Sequence, residues 1–432
     1  MLTSKESHRR SGTGSRFTGK QIVMLAPKTS SKTISTQADK ASLKFGSFND
    51  YRKGNEDYTK AFEETDGIVF EKLGIIVVNG NLDKQVSILT GSSSRNTFIY
   101  SEPERYVYAI NDPSEEFTQD STSVTDQSRR KTNKPISSNF KSGSYKDDDV
   151  ASWGIHATNV LISKFTGKGI NTAILDTGFN LNHPDFDGRI LNSRSFIQGE
   201  EAGDQNGHGS HCTGISTGNI NRSTGRRYGV AKEANIYIGK VLSNDGSGSD
   251  SGILAGMEWA ITNNCKVISM SLGAAVEPGE TYSNIYNDIA KKALAKGTLI
   301  IAAAGNESRR DLGIINPVGH PANCPAIMAV AALDKNLNVA YFSCGGINSD
   351  GGQVDIAAPG VDIYSSWVSP ENYNIISGTS MATPCVAGIA ALFCEAFPKA
   401  SASDIWMYLT QYALRLNLNA SDVGAGLVQP LK

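Results

Sequence analysis

The stretch INTAILDTG (residues 170–178) is a continuous apolar run that ends in an acid and a glycine. Runs of this kind suit strands that are buried on both faces of a parallel sheet. Four similar runs follow along the chain: IYIGKVL (236–242), KVISMSLG (266–273), TLIIAAAGN (298–306) and AIMAVAAL (326–333). The pattern therefore predicts a buried sheet at the centre of a large domain.

Three other segments have apolar residues at helical spacing: GILAGMEWAITNN (252–264), SNIYNDIAKKALAKG (283–297) and SASDIWMYLTQYAL (401–414). The last of them opens with Ser401 and Asp404, whose spacing matches a capping box. Strands that alternate with helices favour a parallel sheet with helices against its faces. Residues 150–432 are thus predicted to form an α/β fold, with a doubly wound, mostly parallel sheet flanked by helices.

Residues 17–110 have a different pattern, in which short apolar runs alternate with polar segments. QIVML (21–25), GIVFEKLGIIVV (67–78) and RYVYAI (105–110) are typical of strands, and YTKAFEET (58–65) is typical of a helix. We expect a small α+β domain, near the lower limit of size for independent stability.

Two segments are too polar to bury a core. Residues 111–149 hold few large apolar side chains, which predicts a flexible linker; the basic RRKTNK and the acidic DDD leave a targeting or processing signal as the alternative. Residues 1–16 predict a disordered N-terminus. They also lack the apolar centre of a secretory signal, so a cytoplasmic protein and a sequence that starts after a removed signal both stay open.

The composition argues against several classes of protein. The 432 residues carry a formal net charge of −2, which gives no support for nucleic acid as a partner. No apolar run approaches the roughly 20 residues that cross a bilayer, so no membrane association is expected. None of the six cysteines forms a CxxC pair, and most lie in apolar stretches, which favours buried free thiols over a disulfide framework or a zinc site.

Four polar residues stand where open α/β sheets carry their functional groups, beyond the carboxyl ends of strands. Asp176 ends the first apolar run, and Asn306 ends TLIIAAAGN. His208 lies in the glycine-rich NGHGSHCTG, and Ser380 lies in SGTSMATPCVAG. Three of them alone have a simpler interpretation: a turn residue for the acid and the amide, and a helix cap for the serine. For His208, a metal ligand is the weaker alternative, because no glutamate completes an HExxH motif, and a general base is the stronger one.

Together these residues supply the parts that acyl transfer needs: a nucleophile, a base, a group that orients the base, and an oxyanion donor. Their chain order, acid then histidine then serine, matches the subtilisin order rather than that of chymotrypsin or the α/β-hydrolases. Pro384, just after the serine, is expected in the first turn of a helix, where its missing N–H costs little.

Residues 150–432 resemble the subtilisin-like serine proteases in the motifs AILDTG, NGHGSHCTG, AAAGN and SGTSMATP. The resemblance implies a serine endopeptidase in which Ser380 attacks the peptide carbonyl and His208 transfers the proton. Asp176 would orient the imidazole, and Asn306 would bind the oxyanion together with the backbone N–H of Ser380. A dedicated processing protease is the alternative within this class.

The same resemblance implies where protein or peptide substrates bind. Two segments resemble those that hold an extended peptide by strand addition: Gly246, Ser247 and Gly248, and opposite them Ser271, Leu272 and Gly273. Gly319 matches the base of the first specificity pocket, which implies room for a large apolar side chain before the scissile bond.

Residues 17–110 resemble the family's inhibitory propeptide, a ferredoxin-like domain. This implies a self-processing zymogen that is inhibited by its own N-terminal part. The long linker leaves the cleavage site open between the neighbourhood of Ile110 and that of Val150. Because a propeptide favours export, we expect an extracellular monomer, with a cytoplasmic location as the alternative.

A structural calcium ion is also implied by the resemblance, and no catalytic cofactor. Asp355 resembles a family calcium ligand, with the backbone carbonyls of Pro325 and Ile327 as its companions. Asp185, in HPDF, resembles a ligand of a second site, but the adjacent arginines in GNINRSTGRRYGVA argue against a cation there. We expect one calcium ion at most.

Two cysteines lie in the motifs themselves. Cys212 follows the histidine motif, and Cys385 stands where the family commonly has histidine. Since the base of the triad is His208, the exchange at Cys385 is not expected to abolish activity. We do expect the two thiols to make the protein sensitive to mercurials.

Overall fold

A computed structural model describes residues 15–51, 58–80, 97–110, 144–189 and 191–432. The predicted disordered N-terminus and most of the predicted linker lie outside the described residues, so those two predictions stay predictions. Within the described part of the chain there are two seven-stranded sheets and one two-stranded sheet.

The strands, numbered along the chain, are β1 (Phe17–Leu25), β2 (Phe45–Ser47), β3 (Gly67–Phe70), β4 (Ile75–Val78), β5 (Phe98–Ala109), β6 (Asn171–Asp176), β7 (Leu191–Ser195), β8 (Asn235–Lys240), β9 (Ser247–Ser249), β10 (Val267–Met270), β11 (Leu272–Gly273), β12 (Leu299–Ala303), β13 (Met328–Leu333), β14 (Ile356–Pro359), β15 (Ile363–Ser366) and β16 (Tyr373–Ile376). The α-helices are α1 (Ser31–Lys40), α2 (Phe48–Tyr51), α3 (Ala61–Glu64), α4 (Trp153–Ala157), α5 (His208–Thr217), α6 (Asp250–Thr262), α7 (Asn284–Ala295), α8 (Thr379–Ala396), α9 (Ala402–Tyr412) and α10 (Ala420–Val423).

The main core is a sheet with the strand order β14-β13-β12-β10-β6-β8-β7, in which every neighbouring pair runs parallel. Strands β10, β12 and β13 are buried along their whole length, which explains why their sequences are continuous apolar runs. Helix α8 packs against five strands of this sheet: β6, β10, β12, β13 and β14. The predicted doubly wound α/β fold is confirmed.

The N-terminal residues form a mixed sheet. β1 lies between β4 and β5 with antiparallel pairing on both sides, while β3 pairs antiparallel with β4 and parallel with β2. Ile34 and Ala38 of α1 belong to the apolar cluster beside this sheet. The sheet does not end with its own strands: the C-terminal half of β5 also pairs with β9 and β11, which lie in the other part of the chain.

Helix α8 corrects one expectation. It begins at Thr379, so Pro384 is its sixth residue and lies inside the helix rather than in the first turn. A proline there has no N–H for the carbonyl four residues earlier, which belongs to Ser380. That carbonyl instead accepts the hydroxyl of Ser271 at 2.8 Å and the thiol of Cys212 at 3.5 Å. Neighbouring side chains therefore satisfy the group that the proline leaves free.

Among the described helices, α8 alone is long and apolar enough to cross a membrane by length and composition. However, 89% of this 18-residue helix is buried inside the protein. Buried core helices often have this length and composition, and α8 is the central helix of the larger core.

Other local predictions have mixed outcomes. The capping box at Ser401 and Asp404 is present and begins α9. The helix expected around 58–65 is reduced to a single 3-10 turn followed by α3. β7 was not predicted, because its sequence LNSRS has no apolar run. All six cysteines are free and buried, as expected.

Candidate active site

The ends of several core elements bring the four predicted residues to one edge of the parallel sheet. Asp176 is the last residue of β6 and His208 is the first residue of α5. Ser380 is the second residue of α8, and Asn306 follows β12. Because parallel strands end at a common edge, residues 204 positions apart in sequence (380 − 176) can meet there.

Asp176 and His208 form a direct pair. Asp176 Oδ1 lies 2.7 Å from Nδ1 of His208, and both side chains are buried. The same carboxylate oxygen accepts the N–H of Thr177 at 2.7 Å, which fixes its orientation. Burial alone would lower the pKa of His208, but the charge of Asp176 outweighs it and holds that pKa well above its ordinary value. The pair is therefore built to stabilise a positively charged imidazolium.

Ser380 lies in the same site, with its hydroxyl turned toward a bound strand. Its Oγ donates to the carbonyl oxygen of Ile110 at 3.0 Å, with that of Ser271 as a second acceptor at 3.2 Å. Nε2 of His208 is buried and has no hydrogen-bond partner in the described part of the chain. That nitrogen is the one able to take a proton while Nδ1 is held by the acid.

Asn306 lies beside the start of α8. Its Oδ1 accepts both the N–H and the hydroxyl of Thr379 at 2.9 Å, which fixes which end of the amide faces the cleft. A Cβ atom placed on Gly378 would lie 3.0 Å from Asn306 Nδ2, 3.4 Å from the Ile110 carbonyl oxygen and 3.5 Å from the Ser380 nitrogen. These three atoms thus surround one small space, and any residue other than glycine would fill it.

Cys212 is the closest thiol to the acid–histidine pair. Its Sγ lies 3.9 Å from Nδ1 of His208, and the donor atoms of Asp176, His208 and Cys212 are all within 4.8 Å of one another. Burial raises the pKa of the Cys212 thiol, so the group is neutral. The trio has donor atoms that a soft metal accepts, although Nδ1 is already engaged by the carboxylate. Cys385 is buried, and burial raises its pKa to about 12.

The cleft beside the serine is filled by the end of β5. Tyr106, Val107 and Tyr108 pair antiparallel with β9, while Tyr108 and Ala109 pair with β11 on the other side. The N–H of Ala109 also donates to the carbonyl of Gly246 at 2.8 Å. All of the segments predicted to bind an extended peptide therefore contact this strand through their backbones.

Alternate side chains of this strand have different environments. Val107 and Ala109 are buried, whereas Tyr106 and Tyr108 are exposed. Ile110 is also buried, and its Cδ1 would lie 3.4 Å from a Cβ placed on Gly273. Gly319 is packed nearby: its N–H donates to the carbonyl of Ala304, and the residue after it pairs with Ala274.

Several residues that contact this strand were not predicted. Glu102 accepts the N–H groups of Asn284 and Ile285 at the start of α7. Glu104 accepts the N–H of Ser251 at the start of α6, and Asp250 accepts the N–H of Arg105. The alternating glutamates of SEPERYV are the only sequence signal of these contacts, and it does not identify their partners.

The two acids considered for calcium differ in their surroundings. Asp355 accepts the N–H of Ala329 at 2.7 Å, and burial raises its pKa to about 7. A carboxylate in such an environment, without a cationic partner, suits a bound cation. Asp185 instead accepts the hydroxyls of Tyr228 and Tyr373 and the N–H of Arg222. Its oxygens are already satisfied, so Asp185 does not fit a calcium site.

The chain is similar to known proteins over the region that forms the parallel sheet. The subtilase family model matches residues 167–426, which is more than half of the chain. The chain belongs to the subtilase family. Strands β1–β5 of the mixed sheet lie outside the match, whereas β9 and β11 lie inside it.

This subtilase is similar to several curated proteins. Subtilisin DY from Bacillus licheniformis is 38% identical over 275 residues, which cover 63% of this chain and 94% of that protein. A thermostable alkaline protease from Halalkalibacterium halodurans is 39% identical over 280 residues, or 64% of this chain and 71% of that protein. Subtilisin E from Bacillus subtilis is 38% identical over 266 residues, or 61% and 65%. The chain is thus a serine-type endopeptidase that acts on proteins or peptides and needs no catalytic cofactor.

Proposed function

We propose that this subtilase hydrolyses peptide bonds through an acyl-enzyme on Ser380. The observation that carries the proposal is the 3.0 Å contact between Ser380 Oγ and the carbonyl of Ile110, at the end of a strand held in the cleft. This hydrogen bond to the carbonyl oxygen places the nucleophile, on a rigid helix start, beside the carbonyl group that it would attack.

The proposed steps use the four residues in turn. Ser380 Oγ adds to the carbonyl carbon while His208 Nε2 takes the hydroxyl proton, and the negative charge moves to the carbonyl oxygen. Asn306 Nδ2 and the N–H of Ser380 stabilise that charge. The C–N bond then breaks as His208 returns the proton to the leaving amine. Water, deprotonated by the same imidazole, releases the acid and restores Ser380.

Asp176 acts through His208 rather than on the substrate. Its carboxylate fixes the tautomer with the proton on Nδ1 and stabilises the imidazolium formed in each step. This role is supported by the 2.7 Å contact and by the raised pKa of His208.

We further propose that residues 17–110 are an inhibitory propeptide and that the chain cuts itself after Ile110. Support comes from the strand Tyr106–Ile110, which lies in the cleft as a substrate would and ends at the serine. Val150, the other neighbourhood considered, contacts Asp148 and Arg227, and none of its described contacts involves the site. Cleavage between Ile110 and Asn111 would leave the propeptide bound as a product.

The contacts of the propeptide are numerous enough to keep it bound. Besides the strand pairing, Glu258 of α6 accepts the N–H groups of Lys72 and Leu73 at 3.2 Å. Tyr100 donates to Asp288 at 3.0 Å, and Arg16, just before the propeptide, pairs with Glu280 at 3.1 Å. The buried Ile110 supports a preference for apolar side chains before the scissile bond, with Gly319 as the base of that pocket.

Structural calcium, location and assembly are also proposals. Asp355 would hold calcium with the carbonyls of Pro325 and Ile327, where the ion would neutralise a buried carboxylate. We keep the expectation of an extracellular monomer, with the presence of a propeptide as its support.

Labelling with a fluorophosphonate tests the proposed reaction. After the chain has processed itself and lost the propeptide, we expect one covalent adduct, which peptide mass spectrometry assigns to Ser380. His208→Ala should process itself at least about 10²-fold more slowly than the unaltered chain, since general-base assistance contributes that much. An adduct elsewhere, or none in properly folded protein, would contradict the proposal.

A further inference from the structure

The N-terminal end of the bound strand meets a buried cluster that lies beyond the serine, the histidine and the first pocket. β9 pairs with Tyr106, Val107 and Tyr108, and Ser249 opposite Tyr106 is its last residue. The next residue, Asp250, already belongs to α6, so its backbone turns away from the ladder. Its side chain replaces the missing backbone acceptor, because Oδ2 accepts the N–H of Arg105 at 2.8 Å.

The other carboxylate oxygen of Asp250, Oδ1, is hydrogen-bonded by two buried side chains. Oδ1 lies 3.0 Å from Nε2 of His320 and 3.0 Å from the hydroxyl of Tyr286. All three side chains are buried, with no more than 2% of each residue exposed. Two donors on Oδ1 leave Oδ2 aimed at the strand. Burial alone would raise the pKa of Asp250, but the facing His320 and the N–H of Arg105 hold it below its ordinary value, so the group is ionised.

Arg105 is the sixth residue when one counts back from the Ile110 carbonyl as the first. We infer that Asp250, positioned by His320 and Tyr286, is a substrate-binding residue that recognises the backbone N–H of the sixth residue before the scissile bond. This inference rests on the proposed function, because it takes the strand Arg105–Ile110 as the mimic of a substrate. It assigns to the enzyme a preference for long extended segments.

The recognition is chemical as well as geometric. A carboxylate removed from water needs hydrogen bonds to its oxygens, and among the described residues Oδ2 obtains one only from the N–H of Arg105. Any side chain at the sixth position leaves this N–H in place except proline, which has none. The favoured substrate is therefore an unfolded polypeptide with at least six residues before the cut and no proline at the sixth.

The neighbouring N–H provides a matched control. The N–H of Tyr106 donates to the carbonyl of Arg16, just before β1, at 3.1 Å, so it faces away from α6 and β9. In a substrate peptide the fifth N–H would therefore not contact the enzyme.

Three peptides test the inference on the self-processed enzyme freed of its propeptide. Each is acetyl-Arg-Tyr-Val-Tyr-Ala-Ile-p-nitroanilide: one unmodified, one N-methylated at the arginine and one N-methylated at the first tyrosine. Since a hydrogen bond to a charged group contributes about 1.5–3 kcal/mol, methylation at the arginine should lower kcat/KM about tenfold or more. Methylation at the tyrosine should change it less than about threefold.

The variant Asp250→Asn adds a test of the residue itself. Its amide oxygen will face the two donors, His320 and Tyr286, which turns the NH₂ group toward the sixth N–H. We expect the unmodified peptide to lose its advantage over the arginine-methylated one in this variant. Should the variant fail to fold, the kcat/KM values of the three peptides on the unaltered enzyme still test the inference.

The outcomes distinguish a failure of the proposed role of Asp250 from a failure of the proposed function. Equal kcat/KM for the unmodified and arginine-methylated peptides overturns the role of Asp250 while leaving the proposed function standing. A penalty of the same size for both methylated peptides also overturns it, since the loss would then be conformational. If none of the three peptides is hydrolysed, both the proposed function and this inference are overturned.

Discussion

The two seven-stranded sheets of this subtilase differ in which parts of the chain supply their strands. The parallel sheet uses strands of the peptidase region alone, and its central strands are completely buried. The mixed sheet reaches its full size only by adding β9 and β11, which flank the active site. The first sheet is a permanent core. The second includes a junction between β5 and the strands β9 and β11, which release of the proposed propeptide would separate.

The difference is also chemical. Apolar side chains stabilise the parallel sheet, whereas much of the junction consists of carboxylates facing N–H groups at helix starts: Glu102 at α7 and Glu104 at α6. Such contacts are favourable when made, yet water can replace them when the strand leaves. A junction of this kind supports the proposed role of residues 17–110 as an inhibitor that can dissociate.

The largest expected effect is at the edge of the permanent sheet. In Asp176→Asn the amide favours the wrong tautomer of His208, so self-cleavage of the full chain should slow by about 10⁴-fold, as for the same change in another serine-protease triad. Gel electrophoresis of the chain over time measures this rate. Asp187→Asn, whose side chain is 81% exposed, is the control and should cleave normally. Normal cleavage in Asp176→Asn would break the proposed role.

Modification of Cys212 comes next. A mercury ion on this thiol would lie against His208 Nδ1 and the Ser380 carbonyl, and a displacement near 1 Å costs about 10²-fold in rate. Cys212→Ala should stay active and become resistant to mercurials, as measured by peptide hydrolysis after treatment. Cys394→Ala should stay sensitive. If Cys212→Ala is still inactivated, Cys385 becomes the responsible thiol, and Cys385→Ala would show it.

A smaller effect is expected at the junction of the sheets. Glu102→Gln removes a charge that faces the start of α7, so the propeptide should bind about tenfold more weakly, given the usual strength of hydrogen bonds to charged groups. The lag between the first cut and the appearance of activity should shorten. Asp39→Asn, exposed on α1, should leave the lag unchanged. An unaltered lag in Glu102→Gln would mean that strand pairing alone sets the inhibition.

The smallest effect concerns Asp355. With its pKa raised to about 7 from 3.8, its folded form without calcium favours the proton, so its contribution to stability is present below pH 4 and is lost as the pH rises through 7. Calcium should reverse this loss. We expect chelation to lower Tm by a few degrees at pH 8 and by less at pH 5, and Asp355→Asn to remove the difference. Equal shifts at both pH values would contradict a site at this carboxylate.

Much of the permanent sheet could be predicted because burial on both faces makes each strand a continuous apolar run. β7 could not, since four of its five residues are polar and its place is set by pairing with β8. The position of Pro384 inside α8 was also missed, because the hydroxyl and thiol that satisfy the Ser380 carbonyl come from distant parts of the chain.

The proposed catalytic residues were recognisable because each lies in a short motif at a strand or helix end. Asp250 was not, although it lies two residues from the predicted Gly248. Its partners, Arg105 and His320, are 145 and 70 positions away, so no local pattern links them. Contacts that join the two sheets are long-range and polar, and these leave little trace in periodicity.

The central claim is that the chain end of β5 lies in the active site as a substrate. Mass spectrometry and N-terminal sequencing of the purified full-length protein, after incubation, test it most directly. We predict two fragments, one ending at Ile110 and one beginning at Asn111, and an uncut 46.1 kDa chain for Ser380→Ala. A first cut near Val150 with the bond after Ile110 intact, or cleavage that persists in Ser380→Ala, would contradict the account.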